Sequence, residues 1–188
     1  YSSSKNWKRR KGVKVTWSQD EDSAGYTVYR STYNAKTKKW SKWVNRGTAD
    51  ASKTSWVDKK VTSGKYYKYT VRAINGNTKS TYVSSKSLYY LAEPVTTVTV
   101  VDNGINVAWT QCAGATGYTV YRAQVIAGVV GKWHTMGTAK ANKNNWTDKS
   151  AESGIVYVYT VRAVNGKLKS SFTKSAEIVR WKYDYYKE

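Results

Sequence analysis

Apolar and polar residues alternate with a period of two along most of this chain. In "VKVTW", Val13, Val15 and Trp17 point one way and Lys14 and Thr16 the other. In "YTVYR", Tyr26, Val28 and Arg30 share a face, with Thr27 and Tyr29 opposite. In "YKYTVRA", Tyr67, Tyr69, Val71 and Ala73 oppose Lys68, Thr70 and Arg72. Successive side chains of a strand leave opposite faces, so the pattern predicts antiparallel strands with one buried face. "SAG" before Tyr26, "TSG" at 62–64 and "NGN" at 75–77 supply the turns between them, and the glycines read as turn residues. No stretch of ten residues has helical periodicity.

The alternation is written twice. "GYTVYR" occupies residues 25–30 and again 117–122. Around it Gly12, Val15, Trp17 and Gln19 recur as Gly104, Val107, Trp109 and Gln111. Downstream, "GTA" (47–49), Trp56, Asp58, Lys59, "SG" (63–64), Tyr67 and "YTVRA" (69–73) recur as 137–139, Trp146, Asp148, Lys149, 153–154, Tyr157 and 159–163. The offset is 92 up to the hexamer and 90 after it, so one small deletion in the stretch after Arg30 separates the copies. A period near 90 is a whole domain, too long for a solenoid unit. About seven short strands per copy predicts two tandem sandwiches, an all-β fold with domains at 1–92 and 93–188. The join falls near Pro94, the only proline, and is short.

These residues resemble the fibronectin type III family, particularly the tandem copies in secreted and surface proteins of Gram-positive bacteria. The resemblance rests on Trp17 and Trp109 ending the second strand, on "GYTVYR" as the third strand, and on "SWVDKKVTSGKYYKYTVRAING" mirrored by "NWTDKSAESGIVYVYTVRAVNG". It implies that Tyr67 and Tyr157 form a tyrosine corner, with the phenol bonded back to the backbone where the chain enters the sixth strand. It also implies a non-catalytic immunoglobulin-like module flanked by further domains of one parent protein. One departure stands out. The second copy has an apolar first strand, "PVTTVTV", where the first copy reads "SSSKNWKRR". The first strand of domain one is therefore expected to be degenerate or truncated.

Composition adds two constraints. A single cysteine, Cys112, rules out an internal disulfide, so an apolar core must hold the fold. The chain begins with Tyr1 and its only methionine is Met136, which suggests a processed chain or an excised fragment. No apolar run approaches the roughly 18 residues of a membrane span, so membrane insertion is not expected.

Charge changes the picture further. The chain carries a formal net charge of +20, distributed unevenly. Residues 1–92 hold 20 Lys and Arg against 5 Asp and Glu, and residues 93–188 hold 12 against 7. Recurrent residues belong to the scaffold: Trp17, Trp109, Tyr67, Tyr157, Trp56 and Trp146, together with Asp58 and Asp148. Function is sought where the copies differ. That singles out the cationic stretches "KNWKRRK" and "KTKKWSKWVNR", with Trp7, Lys8, Arg9, Arg10, Lys38, Lys39, Trp40 and Lys42 as candidate ligand-binding residues. Clustered Lys and Arg displace counterions from a polyanion, and an exposed indole stacks on a sugar or base face. Trp181, unmatched by a tryptophan in copy one, is expected to cap the base of domain two.

The residues for catalysis are not marked. His134 and Cys112 have no third orienting group. No His or Cys spacing fits zinc, and "DED" at 20–22 reads as a polar turn before it reads as a calcium loop. No cofactor and no enzymatic activity are expected. The expected role is a secreted or cell-wall-associated spacer and adhesion module, with an anionic polymer (teichoic acid or an acidic glycan) or a host surface protein as partner. An accessory module of a carbohydrate-active enzyme and a specific binder of a host protein are the alternatives. Sequence-specific nucleic-acid binding is not expected, because recognition helix, zinc motif and aromatic-on-strand signature are all missing.

Overall fold

The alternating segments are strands, and every regular element among residues 12–182, which the computed structural model describes, is β. The chain divides into two units, Tyr1–Tyr90 and Leu91–Glu188. In the first, the strands are β1 (Val13–Thr16), β2 (Gly25–Asn34), β3 (Lys39–Trp40), β4 (Val44–Asp50), β5 (Ser55–Asp58), β6 (Lys65–Asn75), β7 (Thr78–Lys79) and β8 (Leu88–Tyr90). In the second they are β9 (Thr96–Val101), β10 (Gly104–Trp109), β11 (Gly117–Ile126), β12 (Val129–Val130), β13 (His134–Lys140), β14 (Asn145–Asp148), β15 (Val156–Asn165), β16 (Leu168–Lys169) and β17 (Ile178–Val179).

Each unit is a two-sheet, immunoglobulin-like sandwich. The large sheet of the first unit runs β3-β2-β6-β7, with β4 also on β2 and β8 on β6. That of the second runs β12-β11-β15-β16, with β13 on β11 and β17 on β15. The small sheets are β1-β5 and β14-β10-β9. Residues 4–9, which align with β9 at the offset of 92, lie outside the described residues, and so does the expected degenerate first strand.

Inward-facing residues of both sheets meet as the alternation predicts. Val13, Val15, Val28, Tyr67 and Tyr69 form the core of the first unit, with Trp17 and Trp56 packed against it. In the second, Ile105, Val107, Val120, Tyr159 and Val161 are fully buried. Tyr67 makes the expected corner: its hydroxyl accepts from the Thr62 amide at 2.8 Å. Tyr157 is equally buried, and its ring carries the Arg122 guanidinium at 4.5 Å.

One expectation needs correcting. The face of β2 and β6 opposite the core is not simply solvent-facing, since Thr27, Ser31 and Thr70 are all buried. Between β7 and β8 the chain leaves regular pairing but stays against β6. The Tyr69 and Ala73 amides donate to the Ser85 and Ser80 hydroxyls at 3.0 Å each, and the Thr70 hydroxyl donates to the Val83 carbonyl. Ser175, Ser170 and Thr160 repeat these bonds in the second unit. Serine hydroxyls thus satisfy backbone donors that a regular strand would have paired. Trp181 also departs from its expected role: it lies across Gly154 and remains 62% exposed, so it caps little of the core.

The hairpins place the two-residue difference between the copies. In the second unit, Val125 pairs with Val130 and Ile126 with Val129, leaving a two-residue loop of Ala127 and Gly128. Both have positive φ, at 49° and 74°, as a type I′ turn requires. In the first, Tyr33 pairs with Trp40 and Asn34 with Lys39, so the loop has four residues. The Asn34 side chain accepts from the Lys36 and Thr37 amides, and Lys38 closes the loop at φ 55°.

Candidate functional site

Two constellations stand out, one repeated and one not. The repeated one is a charged cluster at one end of each core. In the second unit, Asp148 is 0% exposed; its carboxylate accepts from Arg122 at 2.8 Å, from the Tyr159 hydroxyl at 2.8 Å, and from the Ser150 amide and hydroxyl at 2.9 and 2.7 Å. In the first unit, Asp58 accepts from Arg30 at 2.7 Å, from the Tyr69 hydroxyl at 3.0 Å and from the Lys60 amide at 2.9 Å. A bulge repeated in both units, at Val28/Tyr29 and Val120/Tyr121, adds a difference. It leaves Arg46 unpaired in the first ladder, with Nε 3.8 Å from Asp58, where the second has Met136. The aspartate, the arginine and the tyrosine of each cluster stand on strands of both sheets, so the cluster joins the sheets from within rather than presenting chemistry to solvent.

The cluster has consequences at both ends of the pH scale. Burial pushes the Asp148 carboxyl up, but the hydrogen bonds from Ser150, Tyr159 and Arg122 together outweigh it and leave the group below the usual carboxylate range. Burial, reinforced by the neighbouring carboxylates, pushes the Tyr69 and Tyr159 phenols well above the ordinary tyrosine value. A raised folded-state value means stability that is complete below the unfolded pKa of about 10 and is lost as pH rises beyond it. We therefore expect the unfolding midpoint to drop above about pH 10. Tyr159→Phe should flatten the part of that decline belonging to the second unit. Urea unfolding of the variant and the parent between neutral and alkaline pH measures it; identical alkaline slopes would contradict this role for Tyr159.

The second constellation lies on the outer face of the large sheet and exists in the first unit alone. Trp40 on β3 meets Tyr33 on β2 with ring centroids 5.3 Å apart. Tyr33 meets Tyr66 on β6 at 6.3 Å, edge to face. Tyr66 meets Tyr89 on β8 at 4.8 Å. The four rings cross four adjacent strands in one row because Tyr33 is registered with Trp40, and Tyr66 with Tyr89. Lys68, two residues along β6 from Tyr66, holds its ammonium 4.5 Å from the Trp40 ring centroid. At the same register positions the second unit has Val125, Val130, Val156 and Val179, with Val158 in place of Lys68. The second unit thus fills these positions of the same frame with valine, and the aromatic row distinguishes the first.

The predicted ligand-binding residues divide accordingly. Lys38, Lys39 and Lys42 are exposed, and Trp40 is half-buried between Tyr33 and Lys68. Trp7, Lys8, Arg9 and Arg10 lie outside the described residues. The sequence reading missed Tyr33, Tyr66 and Tyr89. The scaffold tryptophans occupy matched places: Trp17 packs on Tyr26 at 5.2 Å and Trp109 on Tyr118 at 5.3 Å. Trp56 and Trp146 lie flat over Gly47 and Gly137, where an added Cβ would come within 3.0 Å of the indole. Those two glycines recur for ring clearance, not for a turn.

His134 and Cys112 lie on different elements of the second unit, on β13 and between β10 and β11. His134 is exposed at the start of β13, opposite Arg122. The Cys112 amide donates to the Tyr118 hydroxyl at 2.8 Å, as Asp20 does to Tyr26, and burial pushes the thiol up, away from the reactive thiolate. The Asp20 carboxylate accepts from the Asp22 amide, which makes "DED" a turn. Among the described residues no group of three His, Cys, Asp or Glu could hold a metal ion, and no helix is long and apolar enough to cross a membrane.

No family model matches the chain. Among solved structures it is similar to a two-domain fibronectin type III segment of chicken tenascin. That match has a TM-score of 0.47 and 16% identity, and covers 89% of this chain and 91% of the other. The FN1–FN3 domains of chicken CNTN1 match with a TM-score of 0.41 and 14% identity over 92% and 61% of the two chains. An Fn3-like protein from Clostridium thermocellum matches with a TM-score of 0.35 and 27% identity over 47% and 86%.

Proposed function

We propose that the chain is a non-catalytic spacer and adhesion module of a larger secreted or cell-surface protein, and that its first unit binds anionic polymers. The observation that carries this reading is the asymmetry between two units built on one frame. Net charge is +15 over residues 1–92 and +5 over 93–188, from a chain total of +20. The scaffold needs none of that excess, since the second unit builds the same sheets without it. Part of the excess is displayed on the longer β2–β3 hairpin, where Asn34 and the positive φ of Lys38 shape a loop carrying Lys36 and Lys38, with Lys39 opening β3 beside it. Cations concentrated on one hairpin attract a polyanion by counterion release, with affinity that falls steeply as salt rises.

Replacing Lys38, Lys39 and Lys42 together by glutamate is expected to abolish retention on immobilised heparin and teichoic acid at physiological salt. The three side chains are exposed, so the fold should be unaffected, which circular dichroism checks. Retention unchanged by the triple substitution would reduce the charge to a solubilising surface and reject the reading.

A further inference from the structure

The aromatic row narrows the ligand. We propose that Trp40, Tyr33, Tyr66 and Tyr89, with Lys68 beside them, form a binding site for an acidic polysaccharide chain; this rests on the polyanion reading above and specifies which polyanion.

The row has no structural necessity. In the second unit the same four register positions hold valines, and Val125 is buried there at 8% exposed. β-Branched residues close such a face with little exposed surface. The first unit instead leaves Tyr66 46% exposed in the middle of a contiguous row of rings, and it is a contiguous exposed patch, not a single side chain, that marks an interaction site. Three of the four rings are tyrosines. Tyrosine offers an apolar ring and a hydroxyl together, which suits a ligand with apolar C–H faces and polar edges.

Length and geometry separate a glycan from other anions. Four strands spaced about 4.8 Å apart make the row about 15 Å long, longer than one sugar ring, so a chain of several sugars is required to fill it. The rings do not form a flat stack: their planes are inclined by 54°, 86° and 60° in order along the row. One face of Trp40 is taken by Lys68. Successive bases that stack on one another keep their planes parallel and do not follow ring faces inclined this steeply, whereas successive sugars of a chain turn relative to one another, so that each can lay its C–H groups on one ring face, the electron-rich side of the ring. Lys68 is held in place by the indole and donates its remaining N–H bonds to a sulfate or carboxylate passing along the row. The charge complementarity is local as well as global, because the second unit has Val158 at this position.

The test transplants the row of the second unit into the first: W40V, Y33V, Y66V and Y89V combined, with single Tyr66→Val, at the most exposed of the four rings, as the smaller perturbation. Binding is measured by titration with a heparin oligosaccharide long enough to span the row, a heparin disaccharide, inorganic polyphosphate and oligothymidylate, all at one salt concentration. We expect the fourfold variant to lose heparin oligosaccharide binding by at least about tenfold, as loss of stacking contacts implies. Tyr66→Val should lose a smaller part, and polyphosphate binding should be unchanged. The disaccharide should bind the parent weakly. Equal loss for heparin and polyphosphate, or no loss for either, overturns the row as a glycan site. Oligothymidylate binding tighter than heparin, and lost in the variant, overturns it in favour of nucleic acid. If the lysine-to-glutamate triple abolishes heparin binding while Tyr66→Val and the fourfold variant keep it, this inference fails and the broader reading stands. Heparin binding that survives both sets of substitutions removes both.

Discussion

Asp148→Ala is expected to destabilise the second unit by about 3–5 kcal/mol, the usual cost of removing one partner of a buried ion pair. The substitution strands four donors at once: the Arg122 guanidinium, the Tyr159 hydroxyl, and the Ser150 amide and hydroxyl. Asp148 is 1% exposed in its side chain and Arg122 19%. Water therefore reaches part of the guanidinium, and the lower end of the range is expected. The first unit should be unaffected. Hydrogen exchange read separately on the β6 and β15 amides distinguishes the units, with protection lost in β15 only. A loss under about 1 kcal/mol would mean that the pair behaves as a surface salt bridge, contradicting its burial. In the first unit, Asp58→Ala should be at least as costly, because it would leave two guanidinium groups, Arg30 at 2.7 Å and Arg46 at 3.8 Å from the carboxylate, without their counter-charge.

How much of this was legible in the sequence follows from what a repeat can report. Recurrence marked Asp58 and Asp148 as scaffold, because identical letters in two copies with different surfaces have a shared structural cause. It could not say what they hold. Arg30 and Asp58 are 28 positions apart, and only the pairing of β1 with β5 and of β2 with β6 brings them to the same end of the core. Trp17, Trp56 and Tyr67 were readable for the same reason as the aspartates. The aromatic row was hidden by the strand pattern itself: a tyrosine in an alternating strand reads as ordinary, and Tyr33, Tyr66 and Tyr89 lie on three strands far apart in the chain. Its signal is nonetheless present in the aligned copies, as four substitutions in the same direction, aromatic for valine. Charge was the easier difference to see because lysines cluster along the chain, whereas the row clusters only across it. The buried Thr70 and Ser31 show the complementary limit. Period-two alternation assigns a face but not what covers it: Thr70 bonds to Val83 in an irregular, serine-rich segment with no periodicity of its own, and Ser31 to the Ser41 carbonyl just after β3.

Gly104→Ala is the second substitution with a large expected effect, about 2–3 kcal/mol at the upper end of overpacking costs. Gly104 recurs from Gly12, and recurrent glycines read naturally as turns. Its surroundings argue otherwise. It opens β10 beside the Ile105–Asp148 pair of the ladder, and a Cβ there would lie 2.2 Å from the Asp148 carbonyl oxygen and 2.8 Å from its carbonyl carbon. Those are backbone atoms, so relief requires shifting β14 itself, and β14 ends in the aspartate that Arg122 and Tyr159 grip. The glycine therefore permits the close strand approach on which the buried cluster depends. Gly128→Ala provides the contrast. Gly128 has φ +74° in the β11–β12 turn, but an added Cβ meets nothing within 4 Å, so only the left-handed backbone penalty of about 1 kcal/mol applies. Chemical denaturation should rank Gly104→Ala above Gly128→Ala. Because Gly104 and Asp148 are in contact, the double variant Gly104→Ala/Asp148→Ala should lose less than the two single losses combined. Strict additivity would mean that the close approach and the ion cluster are independent, and that the glycine serves some other feature of the β10 strand.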